Sequence, residues 1–187
     1  MTDITINTQP TPNPNALKFI LNREVKADGK TSFKNPGQAK EVPLAAALFD
    51  LRGVDQVHFY QNVVTVSKFT FETWDNLEPA IITQVEALID DHDAAFTDHD
   101  PEVERRKTLT GDLLTIETIL DKRIRPALQG DGGDLSVLTY QDDVLLIQYQ
   151  GACGTCPSST TGTLDAIRGI LQDEFNPEIE VYIAPEE

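Results

Sequence analysis

The sequence predicts an α+β protein of two small domains: an N-terminal ββαββα domain over residues 1–90 and a C-terminal αββαβ domain over residues 109–187, joined by an acidic linker at 91–108. Three observations predict it. β-Branched runs come in pairs separated by short polar turns, as hairpins require. Apolar residues elsewhere recur every three or four positions, the spacing of a helix with one buried face. Between residues 91 and 108 both patterns stop and acidic residues take over.

The elements follow in order. Ile4–Asn7 and Ala16–Leu21 read as strands, and the prolines of Thr11-Pro12-Asn13-Pro14-Asn15 force a turn between them. Residues 22–42 are polar, carry Gly29, Pro36 and Gly37, and read as a long loop. Pro43 opens a short apolar helix closed by Gly53. Val54–Tyr60 and Val63–Phe69 form a hairpin around Gln61-Asn62. From Trp74 to Ile89, the residues Leu77, Ile81, Val85 and Leu88 mark a helix. Trp74, Phe69 and Phe71 are expected in the core, and His58 as a structural histidine inside a strand. The tract Asp90-Asp91-His92-Asp93 with Asp98-His99-Asp100 reads as a solvated linker rather than a metal site, since no turn fixes the ligands. Beyond it, Leu113, Ile116, Leu120 and Ile124 mark a helix ended by Pro126. Gln129–Asp134 is a turn in which Gly132 and Gly133 supply conformations open to glycine, with Asp131 and Asp134 shaping it. Leu135–Tyr140 and Val144–Tyr149 pair across Gln141-Asp142-Asp143. A helix marked by Leu164, Ile167, Leu171 and Phe175 and a last strand, Ile179–Ile183, complete the pattern.

Composition narrows the function. With 187 residues and 40% hydrophobic content, the chain can bury a core in each domain. The net charge of −16 repels phosphate backbones and anionic lipid headgroups, which disfavours nucleic acid and membranes as partners. The start, Met1-Thr2-Asp3-Ile4-Thr5-Ile6, has neither a basic leader nor an Arg-rich character, which predicts a cytoplasmic location. Two cysteines in such a protein argue against a disulfide framework.

Both cysteines fall in Gly151-Ala152-Cys153-Gly154-Thr155-Cys156-Pro157-Ser158-Ser159. Two residues separate them, so one turn of chain can aim both sulfurs at a single point. Pro157 suits the first position of a helix, placing Cys156 at a helix N-terminus where backbone N–H groups favour a thiolate. Spacing alone leaves a structural zinc site, a thioredoxin-like redox pair and iron–sulfur ligation open. Zinc usually wants four ligands within one fold. A redox pair would follow the first strand of a βαβ unit, whereas this pair follows a hairpin. An iron–sulfur cluster usually takes four thiolates, which two chains meeting face to face would supply. Two inert buried cysteines fit the surrounding glycines less well.

This stretch resembles the signature of the Nfu family, the NifU C-terminal-like iron–sulfur scaffold and carrier proteins. Ile124-Arg125-Pro126-Ala127-Leu128-Gln129-Gly130-Asp131-Gly132-Gly133-Asp134 is similar to the other hallmark of that domain, and the likeness covers residues 109–184. Thr11-Pro12-Asn13-Pro14-Asn15-Ala16-Leu17-Lys18-Phe19 is similar to the family's N-terminal domain, which the resemblance makes a partner-docking module. Gly162, inside the helix after the cysteines, departs from the pattern. The resemblance implies a protein that is not an enzyme. It receives a 4Fe–4S cluster from a donor scaffold and hands it to apo iron–sulfur acceptor proteins. Cys153 and Cys156 are then the metal ligands, and a homodimer bridges the cluster; two thiolates per chain also permit a 2Fe–2S form. Residues 109–187 carry 14 Asp and Glu against 4 Lys and Arg, so an anionic cluster would sit in acidic surroundings, which suits release. The competing readings are a thiol–disulfide enzyme, with Cys153 as nucleophile and Cys156 as resolving thiol, and a dimer closed by zinc.

Overall fold

The computed structural model describes residues 3–97, 105–154 and 159–184. They fall into two compact units, Met1–Asp98 and His99–Glu187, each with its own sheet, so the α+β class and the two domains are as expected.

In the first unit, β1 (Ile6–Pro10), β2 (Ala16–Leu21), β3 (Lys26–Phe33), β4 (Val54–Gln61) and β5 (Val63–Lys68) form one antiparallel sheet in the order β1-β2-β5-β4-β3. Helices α1 (Pro43–Phe49) and α2 (Trp74–Leu88) bury Leu44, Leu48, Leu77, Ile81 and Val85 in one cluster with Phe19, Val57, Phe59, Val64 and Val66 of the strands. The β4–β5 turn is the expected one: Tyr60 pairs with Val63, and Gln61 takes φ +50°. The proline-bearing turn after β1 is held by its own polar side chains. The Thr11 hydroxyl donates to the Ala16 carbonyl at 3.0 Å, and the buried Asn13 accepts from the Asn15 N–H at 2.9 Å. The Trp74 indole N–H donates to the Pro14 carbonyl at 3.0 Å and ties this turn to α2. His58 is buried, with Nδ1 2.7 Å from the Ser32 hydroxyl.

Three expectations change. Residues 22–42 hold a strand, β3, paired to β4 from Lys30↔Tyr60 to Phe33↔Val57. Its sequence, Lys-Ala-Asp-Gly-Lys-Thr-Ser-Phe, lacks apolar alternation because it is an edge strand, and its lysines are packed rather than solvated. The Lys26 ammonium lies 4.0 Å from the Phe96 ring centroid, so its stem covers aromatic surface. Phe69 and Phe71 are 45% and 66% exposed and stack on each other at 5.6 Å instead of entering the core. Trp74 does pack against it. Finally, the start of the expected linker packs on this unit. His92 Nε2 lies 2.8 Å from the Val25 carbonyl, and Phe96 contacts Phe33 and Phe59.

The second unit contains α3 (Gly111–Arg123), α4 (Arg125–Gly130), β6 (Gly133–Gln141), β7 (Val144–Gly151), α5 (Ser159–Glu174) and β8 (Glu180–Ile183). β6 and β7 are an antiparallel hairpin, and β8 lies parallel to β7 with α5 as the crossover. Asp142 and Asp143 both take positive φ, 50° and 62°, the conformation a two-residue hairpin turn demands. Ile116, Leu120, Leu135, Ile147, Ile167, Leu171 and Val181 fill the core. Pro126 ends α3 as expected but also begins the short helix α4, where its missing N–H costs nothing. Gly162 is exposed inside α5, and a Cβ there would meet nothing within 4 Å, so space does not require glycine.

Arg125 is the polar centre of this unit. It is 3% exposed, and its guanidinium donates to Glu117 Oε2 at 2.7 Å and Asp134 Oδ1 at 2.8 Å; both carboxylates are buried with it. Its Nε lies 2.8 Å from Asp121, and a further N–H reaches the Leu135 carbonyl. Gln129 donates to the other Asp134 oxygen at 3.0 Å. Arg105 and Arg106, from the far end of the expected linker, add ion pairs to Glu117 and Asp121. Replacing Arg125 with Met removes the one guanidinium that two buried carboxylates share and is expected to destabilise the unit by about 3 kcal/mol. Urea denaturation measures it; a loss of about 1 kcal/mol or less, the scale of exposed pairs, would rule out this anchoring role.

Candidate functional site

The site is built where β6 begins and β7 ends. Gly133 pairs with Gly151, and the glycines around them adopt left-handed backbone, φ +82° at Gly132 and +60° at Gly151. The Ala152 N–H donates to the Gly132 carbonyl at 3.1 Å, and the Gly154 N–H to the Gly151 carbonyl at 3.1 Å. These bonds turn the cysteine loop back over the first residue of β6. Cys153 consequently lies directly on Gly133. A Cβ added at Gly133 would come within 2.5 Å of Cys153 Sγ, 2.8 Å of Cys153 N and 2.8 Å of the Gln150 carbonyl. Two of those three atoms are backbone and cannot swing aside. Only glycine fits there, and the reason is the cysteine.

Asp134, next in sequence, is the carboxylate that Arg125 and Gln129 hold, and it also accepts from the Leu135 N–H at 2.7 Å. The turn expected from Gln129–Asp134 thus has both end residues tied into the buried ion-pair cluster, and its last glycine, Gly133, lies under the sulfur. Asp131 is exposed. Cys153 is 7% exposed and belongs to the apolar cluster of the second unit. Cys156, the other ligand expected from the sequence, lies with Pro157 outside the described residues, and the helix beyond begins at Ser159.

Tyr149 shares that cluster. It is 6% exposed, and its hydroxyl has no hydrogen-bond partner among the described residues. Burial pushes its phenol well above the usual range, and the charge of Cys153 pushes it further. Among the described residues the arrangement therefore offers one soft sulfur donor at the end of a sheet, a backbone floor at Gly133, and a buried hydroxyl on the same hairpin. The sequence reading identified the glycines as turn formers but not as the seat of the sulfur, and it passed over Tyr149. A signal for the latter was present: Leu145, Ile147 and Tyr149 alternate toward the core, and only the last ends in a polar atom.

Two protein-family models match the chain in tandem, one described as scaffold protein Nfu/NifU N terminal over residues 6–92 and one as NifU-like domain over residues 116–182. The human protein named "NFU1 iron-sulfur cluster scaffold homolog, mitochondrial" is 35% identical over 177 residues, covering 94% of this chain and 69% of that protein. A protein of the same name from Drosophila erecta is 34% identical over 178 residues, covering 94% of this chain and 62% of that protein. The solution NMR structure of a NifU-like protein from Saccharomyces cerevisiae aligns at 24% identity and a TM-score of 0.46, covering 51% of this chain and 87% of that one. The cytoplasmic expectation is overturned by these relatives, whose names place them in mitochondria. It rested on the first residues of the sequence, and because the chain spans 69% and 62% of these two relatives, those residues are no guide to destination. By its identity to the human relative and its two matched domains in order, the chain belongs to the Nfu/NifU scaffold protein family.

Proposed function

We propose that the chain is an iron–sulfur cluster scaffold or carrier, a non-catalytic protein that holds a cluster as cargo and passes it to apo-proteins. The observation that carries the reading is the seating of Cys153 on Gly133, which presents a buried sulfur from the Cys-x-x-Cys loop over a floor of bare backbone. Thiolates are the donors that iron–sulfur clusters take, with four per cluster as the usual number. Cys153 and Cys156 supply two, so a homodimer shares one cluster, and a 4Fe–4S form uses the full set. The residues present suit that cargo: soft ligands, a floor that is glycine backbone among the described residues, and a buried hydroxyl available as a donor.

The division of labour follows the placement of soft ligands. Residues 109–187 hold both cysteines, residues 1–90 dock acceptor proteins, and residues 91–108 join the two. Docking raises the effective concentration of recipient thiols near the cluster without any new ligand.

Anaerobic reconstitution with iron and sulfide is expected to give a brown dimer with one 4Fe–4S cluster per two chains. Cys153→Ser or Cys156→Ser is expected to abolish stable loading, since a hydroxyl is a poor substitute for thiolate. Metal analysis and size exclusion decide it. A protein that takes zinc alone, or that cycles a disulfide without ever binding iron, would sink the scaffold reading.

Gly133→Ala separates floor from ligand. The added methyl meets Cys153 and the Gln150 carbonyl while leaving the thiol in the sequence, so loading is expected to fall together with some thermal stability. If Gly133→Ala loads as well as the parent protein, the seating does not matter for cargo.

A piece spanning residues 99–187 is expected to load a cluster but to transfer it more slowly at low acceptor concentration. It is cut there to keep Arg105 and Arg106, whose ion pairs support α3. Equal transfer rates from the piece and the full chain at every acceptor concentration would remove the docking role.

A further inference from the structure

Tyr149 poses a problem that the described residues of its unit do not solve. A phenol hydroxyl buried without a partner is costly, because it has left water and gained nothing in exchange. The ring itself is well placed: Tyr149 stands opposite Leu135 across the hairpin, on the face that packs against α3 and α5 in the shared core. A phenylalanine would fill that space equally well. The hydroxyl is what needs a reason.

The register supplies one. Leu135 and Gly133 are two apart on β6 and share a face, and Gly133 pairs with Gly151, two residues beyond Tyr149. Tyr149 is therefore the diagonal neighbour of Gly133, at a separation of about 7 Å that an aromatic side chain spans. What lies over Gly133 is Cys153 Sγ. No side chain stands at Gly133 or Gly151 to come between them.

We propose that the Tyr149 hydroxyl is a hydrogen-bond donor reserved for the Cys153 thiolate, a positioning residue that holds this ligand sulfur when cargo is bound. The proposal rests on the scaffold reading and adds a residue that the Cys-x-x-Cys loop does not contain. The chemistry is asymmetric in the right direction. A thiol is a weak acceptor, while an ionised or iron-bound sulfur accepts a stronger, charge-assisted bond. The bond is thus strongest in the loaded protein, whose ligand sulfur is ionised by definition, and that shifts free energy toward cargo. Hydrogen bonds to cluster sulfurs also set reduction potential.

The test is Tyr149→Phe in the full chain, which removes one oxygen and keeps the ring. Three measurements are made beside the parent protein: thermal unfolding of the empty form, the rate of cluster loss to a chelator, and the reduction potential of the loaded form. The proposal expects the empty variant to melt at or above the parent, since an unmatched hydroxyl has gone. It expects the loaded variant to lose its cluster about tenfold faster, the lower end for removing a ligand's outer partner, and its potential to fall. Unchanged loss rate and potential would overturn it. A lowered melting point with unchanged cluster properties would also overturn it and make the hydroxyl a packing element. If the parent protein itself takes up no cluster, the scaffold reading fails first and this assignment falls with it.

Discussion

Burying the Arg125 guanidinium among Glu117, Asp121 and Asp134 takes charge out of water, a cost that only a nearly complete set of partners offsets. That requirement makes the cluster all-or-none, and it draws on separate stretches of chain. Glu117 and Asp121 come from α3, Arg125 and Gln129 from α4, and Asp134 and the Leu135 carbonyl from β6. The geometry of each is therefore locked to the others. Asp134 is the residue after Gly133, so the lock reaches the backbone on which Cys153 rests. A charge interaction with no ligand of its own thus fixes the height and tilt of the floor beneath the sulfur.

The same dependence explains which parts of the molecule were legible in the sequence. Hairpins were legible because their turns and β-branched flanks are local: Asp142 and Asp143 tolerate left-handed backbone, and the alternation of Leu145, Ile147 and Tyr149 shows one buried face. Helix faces were legible from spacing alone. β3 was not, because its burial comes from the stems of Lys26 and Lys30 and from Phe96, some seventy residues away in the case of Lys26. Residues 92–97 were misjudged for the mirror reason, their polar side chains masking one aromatic that packs. Phe69 and Phe71 look like core by composition, yet they stack outside it. At the site, the sequence named the cysteines and the glycines separately. Their union at Gly133 is a contact across the hairpin register, and no local pattern encodes a register.

On the scaffold reading, retention and release place opposite demands on the site. Soft ligands and a rigid floor would favour holding; half a ligand set per chain and the acidic composition of residues 109–187 would favour letting go. On the reading developed above, Tyr149 belongs to the first group, but conditionally. Its hydroxyl contributes only when the sulfur carries charge, so it strengthens the loaded state without making the empty loop stickier for a thiol. A fixed positive side chain in that place would bind a thiolate in every state and would oppose the transfer of cargo. A neutral donor makes a weak bond until the charge arrives, then a stronger, charge-assisted one. Placing that donor on a core strand lets the sheet, rather than the loop, hold its position.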